Sequence, residues 1–209
     1  MRIYLDIETL PPERDDPLIL DRTDRLTDEE YRKLALGAEY GRLLCIGLIV
    51  EVDGRIKYRG LYGRDRQSMR FHIEEARTLR SFWNLVRDFN KERDLFIGHN
   101  ILDFDLHFIC QRSVIKRVQP SIEIPFARFR SKPIFDVMWE FEHWRRHISL
   151  DQMARIMGLG SSKQAGIDGS RVYDYFLEGR HQEIADYCLR DVELVRSIYQ
   201  RIKFISTET

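Results

Sequence analysis

Asp6 and Glu8 stand two residues apart in Arg2-Ile3-Tyr4-Leu5-Asp6-Ile7-Glu8-Thr9, where Ile3, Leu5 and Ile7 alternate with Tyr4, Asp6 and Glu8. That alternation is the two-residue period of a β-strand, so both carboxylates project from one face, one pleat apart. A solvent-facing edge strand carries two acids harmlessly. Here, however, the run stops abruptly at Thr9-Leu10-Pro11-Pro12. Two carboxylates at the C-terminal end of a strand repel each other unless a cation sits between them. The chemistry in prospect is metal binding through oxygen.

More acids stand at structurally useful places. Leu95-Phe96-Ile97 reads as a short buried strand, followed by Gly98-His99-Asn100 and then Ile101-Leu102-Asp103-Phe104-Asp105. An acid at a helix N-terminus just past a strand's C-terminal end can reach a ligand there; it also complements the helix dipole. Asp103 and Asp105 lie about 200° apart around a helix, so only one of them faces a given point. Geometry alone leaves that choice open. Near the C-terminus, Tyr187 and Asp191 take positions i and i+4 and share a helical face, a spacing that suits an amphipathic edge as well as a catalytic pair.

The elements that would position these groups follow from the pattern of apolar residues. Arg42 to Val52 is a buried strand, Asp53-Gly54 a two-residue hairpin signal, and Arg55 to Tyr62 the returning strand. Leu79, Phe82, Trp83, Val86 and Phe89 recur at helical spacing and predict a helix from Glu74 to Arg93. Further helices are expected over Phe104–Ile115, from Ser149-Leu150-Asp151-Gln152 to Met157, and from about Gln182 to Ile202; Pro133-Ile134-Phe135-Asp136 reads as the last strand. Pro11 to Glu30 is acidic and polar, and Thr27-Asp28-Glu29-Glu30 signals a capped short helix through Leu36. Residues 11–36 are expected to form a surface insertion, and Ser161 to Gly169 a polar loop. Strands early and helices late predict an α/β fold, a mixed sheet sandwiched by helices.

With 209 residues, 43% of them hydrophobic and 33% charged, the chain suits one large soluble domain over 1–209. Thirty-four basic side chains balance 34 acidic ones, so nothing global attracts a polyanion and any nucleic-acid contact must be local. The most basic stretch is Arg112 to Lys132, where Arg112, Lys116, Arg117, Arg128, Arg130 and Lys132 are interleaved with Phe126 and Phe129. That chemistry suits a phosphodiester backbone with a stacked base, and equally a solvated loop. Cys45, Cys110 and Cys188 form no CxxC or Cys/His cluster and read as reduced core thiols. With no long apolar run and no signal-peptide pattern, the expectation is a cytoplasmic protein away from membranes.

The motifs together resemble the DEDDy branch of the DEDD 3′–5′ exonucleases: Asp6-Ile7-Glu8-Thr9, then Asn100-x-x-x-Phe104-Asp105, then Tyr187-x-x-x-Asp191. Gly98-His99-Asn100, Phe104-Asp105-Leu106, Ser149-Leu150-Asp151, Gly166-Ile167-Asp168-Gly169-Ser170 and Ile184-Ala185-Asp186-Tyr187-Cys188 extend the likeness to stand-alone proteins related to the exonuclease domain of family B DNA polymerases. The resemblance implies a ribonuclease H-like fold and selects Asp105 over Asp103. In the histidine branch a His stands five residues before the last acid; here that position is Asp186, which favours the tyrosine branch.

What the resemblance implies is metal-dependent hydrolysis from the 3′ end of a single-stranded nucleic acid, DNA favoured, in proofreading or repair. Two Mg²⁺ or Mn²⁺ ions about 3.5–4 Å apart serve such a reaction, and the oxygens of Asp6, Glu8, Asp105 and Asp191 suit hard ions. Asp6 is expected to bridge the ions, Glu8 and Asp191 to hold the one that activates water, and Asp105 to serve the other. Tyr187 orients the water, since a phenol with a pKa near ~10 is a poor base at neutral pH. By the same resemblance Thr9 and Leu10 touch the terminal nucleotide and Asn100 and Phe104 line its pocket, although Asn100 also suits a helix cap and Phe104 the core. A non-catalytic nucleic-acid-binding or scaffold module on the same fold is the competing reading. The sequence assigns no protein partner.

Overall fold

A computed structural model describes residues 1–23, 25–65, 67–72, 74–160 and 167–205. The chain opens with β1 (Arg2–Leu10) and continues through the short helices α1 (Leu20–Thr23) and α2 (Asp28–Lys33). The hairpin β2 (Arg42–Val52) and β3 (Arg55–Tyr62) turns at Asp53-Gly54, both residues having positive φ, the signature of a tight two-residue connection. Then come α3 (Glu75–Leu85), β4 (Leu95–Gly98), α4 (Asp105–Ile115), β5 (Ile134–Asp136), α5 (Val137–Glu142), α6 (Leu150–Ile156), α7 (Val172–Leu177) and α8 (His181–Ile202).

The five strands form one mixed sheet in the order β3-β2-β1-β4-β5. β1 and β2 are antiparallel, as are β2 and β3, whereas β4 runs parallel to β1 and β5 parallel to β4. The acidic strand is therefore the middle of the sheet. Helices cover both faces. Tyr4 packs edge-on against Tyr199 of α8, so the face bearing Tyr4, Asp6 and Glu8 is the one α8 covers. Ile3, Leu5 and Ile7 point the other way, towards α3 and α4, and they and Tyr4 share the main core with Phe82, Phe96 and Val195. This is the ribonuclease H-like α/β arrangement expected from the sequence. No helix among the described residues is long and apolar enough to cross a membrane.

Two elements differ from the sequence reading. The helix expected to reach Arg93 ends at Leu85. Phe89 is instead turned inward to stack on Phe96, with centroids 4.2 Å apart, and the Asp94 carboxylate accepts the Asn90 amide at 2.8 Å. Tertiary burial of one ring outweighs about two more helical turns. The second difference is in residues 11–36. Thr27 caps α2 with the full reciprocal box to Glu30, as its sequence suggests. Much of this segment is solvated, but Ile19 and Tyr31 are each only 1% exposed. Tyr31 donates to the Pro12 carbonyl at 2.6 Å, and Arg32 pairs with Asp174 of α7 at 2.7 Å. The polar loop expected at Ser161–Gly169 falls partly outside the described residues, as does Gly166 of its motif.

Candidate active site

β1 outruns its parallel neighbour. Pairing with β4 covers only Arg2, Ile3 and Tyr4, so Asp6 and Glu8 extend past the carboxyl end of β4, the place where parallel sheets receive ligands. The loop after β4 fills the gap. Gly98 permits that loop, since a Cβ there would lie 2.7 Å from the Ile101 Cβ. Asn100 takes a left-handed φ of 55°, which Asn tolerates better than most residues. Asp136, at the end of β5, then accepts the Asn100 amide (3.0 Å) and the Leu102 amide (3.1 Å), and also caps α5 through Met138. So held, the loop delivers Asp105, the first residue of α4, whose Oδ1 accepts the Ile7 amide at 3.0 Å.

The third side of the site is α8, which descends the face that β1 ascends. Its approach depends on Gly47, the β2 partner of Asp6. A Cβ at Gly47 would lie 2.7 Å from Cys188 Sγ and 3.1 Å from Val192 Cγ2. With no side chain there, α8 settles onto the sheet, and the Cys188 thiol lies 3.7 Å from the Asp6 carbonyl, to which it donates. One turn along, Tyr187 shares a side-chain hydrogen bond with Asp191. A bulge between Glu8 and Thr9 ends the regular ladder, a common device beside sites.

The electrostatics show how crowded these acids are. Burial, then the charges of Asp191 and Asp105, push the Asp6 carboxyl well above its ordinary range. Glu8 is raised by burial and then by Asp6. Asp105 is pushed up to about 8 by burial, against the downward pull of its own amide and that of Ile7. Burial and the neighbouring Glu8 and Asp191 raise the Tyr187 phenol. An arrangement so repulsive is relieved by protons or by a cation. Oxygen-rich, anionic and half-open, it fits a hard divalent ion. The donor atoms of Asp6, Glu8 and Cys188 all lie within 4.8 Å of one another. The Cys188 thiol donates to the Asp6 backbone carbonyl, and the carboxylate oxygens are the donors in this group that a hard ion prefers.

Asp6, Glu8, Tyr187 and Asp191 border a cleft of about 580 Å³, and Asp6 and Asp105 border an adjoining cavity of about 430 Å³. Asp6 and Phe104 border both spaces, and Asp191 and Asp105 are the charged neighbours that act on Asp6 from the two of them. Over residues 36–208 the chain matches a family model described as a predicted 3′–5′ exonuclease related to the exonuclease domain of PolB. The chain belongs to that family. In this family member β1, with Asp6 and Glu8, precedes the matched region. No curated protein matches the chain. A solved structure of the Saccharomyces cerevisiae Pan2 pseudoubiquitin hydrolase–RNA exonuclease module in complex with AAGGA RNA is similar, at 14% identity and a TM-score of 0.46. That match covers 98% of this chain and 29% of that one.

Of the residues expected to touch nucleic acid, Thr9 borders the larger cleft, Asn100 the smaller, and Phe104 both. Asn100 does not cap α4, which has no side-chain cap; its Oδ1 is buried without a hydrogen-bond partner among the described residues. Leu10 is elsewhere. Beyond the bulge it turns into a second apolar cluster with Leu44 and Phe71 and is 2% exposed, so it offers no wedge to a base. Asp103 is outside the acid cluster, bound by Arg128 and by Trp139 Nε1. Arg112 is likewise no phosphate contact, being buried in a bidentate pair with Glu75.

Three positioning residues escaped the sequence reading. Asp136 carried a readable signal, an acid at a strand's end opening a helix. Gly47 did too, as an isolated glycine in an aliphatic strand, which marks close backbone approach. For Cys188 beside Asp6 no sequence signal existed.

Proposed function

We propose that this chain is a metal-dependent 3′–5′ exonuclease acting as a single domain on the 3′ end of single-stranded nucleic acid, releasing 5′-mononucleotides. The observation that carries this reading is the crowding of acids about Asp6: Asp191 and Asp105 both act on its charge, Glu8, Asp191 and Tyr187 share its cleft, and Asp105 borders the adjoining cavity. DNA is the favoured polymer, in keeping with a family described by its relation to PolB, which also suits proofreading or repair.

Asp6, Glu8, Asp105 and Asp191 are the residues that would hold two Mg²⁺ or Mn²⁺ ions. When bound, such ions stabilise charge on the phosphate and the departing oxygen and make water more acidic. The protein's own part is positional. Tyr187, its proton held firmly by burial and neighbouring charge, donates that proton to Asp191 in a hydrogen bond, and the phenol oxygen so oriented accepts a hydrogen bond from the attacking water and aims it. Asn100 Oδ1 supplies an unsatisfied acceptor for the terminal sugar, and Phe104 and Thr9 bound the space for its base. The water oxygen bonds to phosphorus as the phosphodiester P–O3′ bond breaks; the water gives up a proton to solvent, and the 3′-oxygen leaves on the shortened strand and takes one up from solvent.

The test is release of nucleoside 5′-monophosphates from matched single-stranded DNA and RNA oligonucleotides, with Mg²⁺ or Mn²⁺ and with EDTA. Metal-dependent release, faster on DNA, is expected. No release from either polymer would leave the non-catalytic module as the better description.

A further inference from the structure

A series of aromatic rings leads away from the acidic cleft. His147 borders the cavity that contains Asp6 and Asp105. Its ring meets Trp139 edge-on at 4.7 Å, Trp139 stacks on Trp144 at 5.3 Å with 6° between planes, and Trp144 reaches Phe129 at 4.8 Å. At the outer end Phe129 is 75% exposed, and His147 is exposed at the inner end. Phe129 and Trp144 both have a φ of 62°, a left-handed conformation that bulky residues adopt only where the surroundings impose it.

One acid couples this series to the site. Asp103 accepts Trp139 Nε1–H at 2.9 Å and pairs with Arg128, and it stands on the loop that also carries Asn100 and Asp105. Cations flank the exposed rings. Arg130 and Lys132 follow Phe129, and Arg145 follows Trp144; all three are exposed, and no ion pair engages them among the described residues. Of the basic stretch in the sequence, Arg112 and Lys116 pair with Glu75 and Arg128 with Asp103, which leaves Arg117, Arg130 and Lys132 of it, and Arg145 beyond it, as outward-facing charges.

We propose that this face carries the single strand 5′ of the terminal nucleotide, with bases stacking on His147 and Phe129 and phosphates meeting Arg130, Lys132 and Arg145. The inference rests on the exonuclease reading and deepens it. Alternating rings and unpaired cations are the chemistry of sequence-tolerant single-strand binding, because every base has a π-face and every phosphate a charge. An apolar protein partner would gain nothing from three exposed cations.

The experiment compares KM and kcat on 5′-labelled single strands of graded length, from a dinucleotide upwards. Phe129→Ala is expected to raise KM on long strands roughly fivefold or more, with kcat and dinucleotide hydrolysis unchanged. Phe129→Trp retains a stacking ring and should restore wild-type KM. The Arg130→Ala/Lys132→Ala variant should flatten the salt dependence of long-strand KM by roughly 0.7 in log–log slope per lost contact. Phe129 is exposed, so its loss leaves the fold intact. Unchanged KM at every length, or equal losses on dinucleotide and long strands, overturns the proposal while the exonuclease stands. A wild-type protein that hydrolyses no strand of any length removes the exonuclease reading itself, and this proposal with it.

Discussion

The Asp105 carboxylate stands in for a missing strand: it accepts the Ile7 amide at 3.0 Å, where β1 has run past the end of β4. The same group is charge-coupled to Asp6. One oxygen thus completes the sheet while the carboxylate contributes to the acid cluster. The two roles separate by substitution. Asp105→Asn keeps an acceptor for Ile7 and loses the charge, so it should remain as stable as the wild type yet lose at least about 100-fold in rate, on the scale of a lost electrostatic contact. Asp105→Ala also strands the buried amide and should cost a further 1–3 kcal/mol or so. Urea melts beside nuclease assays check both; equal destabilisation by the two variants would refute the dual role.

Tyr187 is placed to orient rather than to ionise, because burial, Glu8 and Asp191 all favour its protonated form. Tyr187→Phe removes the hydroxyl alone. The expected result is a rate lower by roughly 100-fold, with the Mn²⁺ concentration for half-maximal activity unchanged and no alkaline limb assignable to a phenolate. Loss of metal affinity as severe as that of Asp6→Ala would make Tyr187 part of the metal-binding set instead.

Much of this architecture was legible because local signals and tertiary demands agree. The alternation in β1, the Asp53-Gly54 turn and the Thr27 capping box each specify a geometry within a few residues, and each is present. What stayed illegible depends on partners remote in the chain. Nothing near Leu10 reveals that β2 skips Leu44 in the register opposite Glu8 and Thr9, turning Leu10 inward. Nothing near Arg112 reveals Glu75. The helix read through to Arg93 failed for the same reason: Phe89 obeys helical spacing but is claimed by Phe96.

Arg112 makes that point measurable. Its guanidinium holds Glu75 through two hydrogen bonds and the Ala38 carbonyl through a third, while Glu75 also accepts the Leu43 amide. Arg112→Ala leaves the Glu75 charge buried, apart from Lys116 at the rim, and should destabilise by about 3–5 kcal/mol. Single-strand affinity of the protein that remains folded should not change. A variant that melts like the wild type but binds nucleic acid weakly would return Arg112 to the substrate.

Gly47 offers a test of how tightly α8 must seat. Gly47→Ala places a methyl 2.7 Å from Cys188 Sγ, too close without movement of the helix that carries Tyr187 and Asp191. A shift approaching 1 Å costs up to about 100-fold in rate, so a folded protein with kcat reduced at least tenfold or so is expected. Cys188→Ala removes the obstructing sulfur, and the double variant should recover part of the loss, a coupling expected only between residues in contact. Additive losses in the double variant would mean that Gly47 acts through something other than the seating of α8.

The acid cluster also sets the sign of a pH effect. A carboxyl whose pKa is raised on folding binds more protons folded than unfolded, so stability falls as pH climbs from the unfolded value towards the folded one. Asp105, pushed up to about 8, and Asp6 and Glu8, raised well above their ordinary range, act in this direction. His72, His99 and His181 are lowered by burial and act oppositely, gaining stability as pH rises to their ordinary value of 6.5. Above that value only the acids remain, so in EDTA the Tm should fall between about pH 6.5 and 8 by on the order of 5 °C. Mg²⁺ or Mn²⁺ replaces the protons and should abolish most of that fall, raising Tm more at pH 8 than at pH 6.5. A metal-free Tm that is flat across this window, or a metal-induced rise that is the same at both ends, would mean that the four carboxylates do not share one electrostatic site.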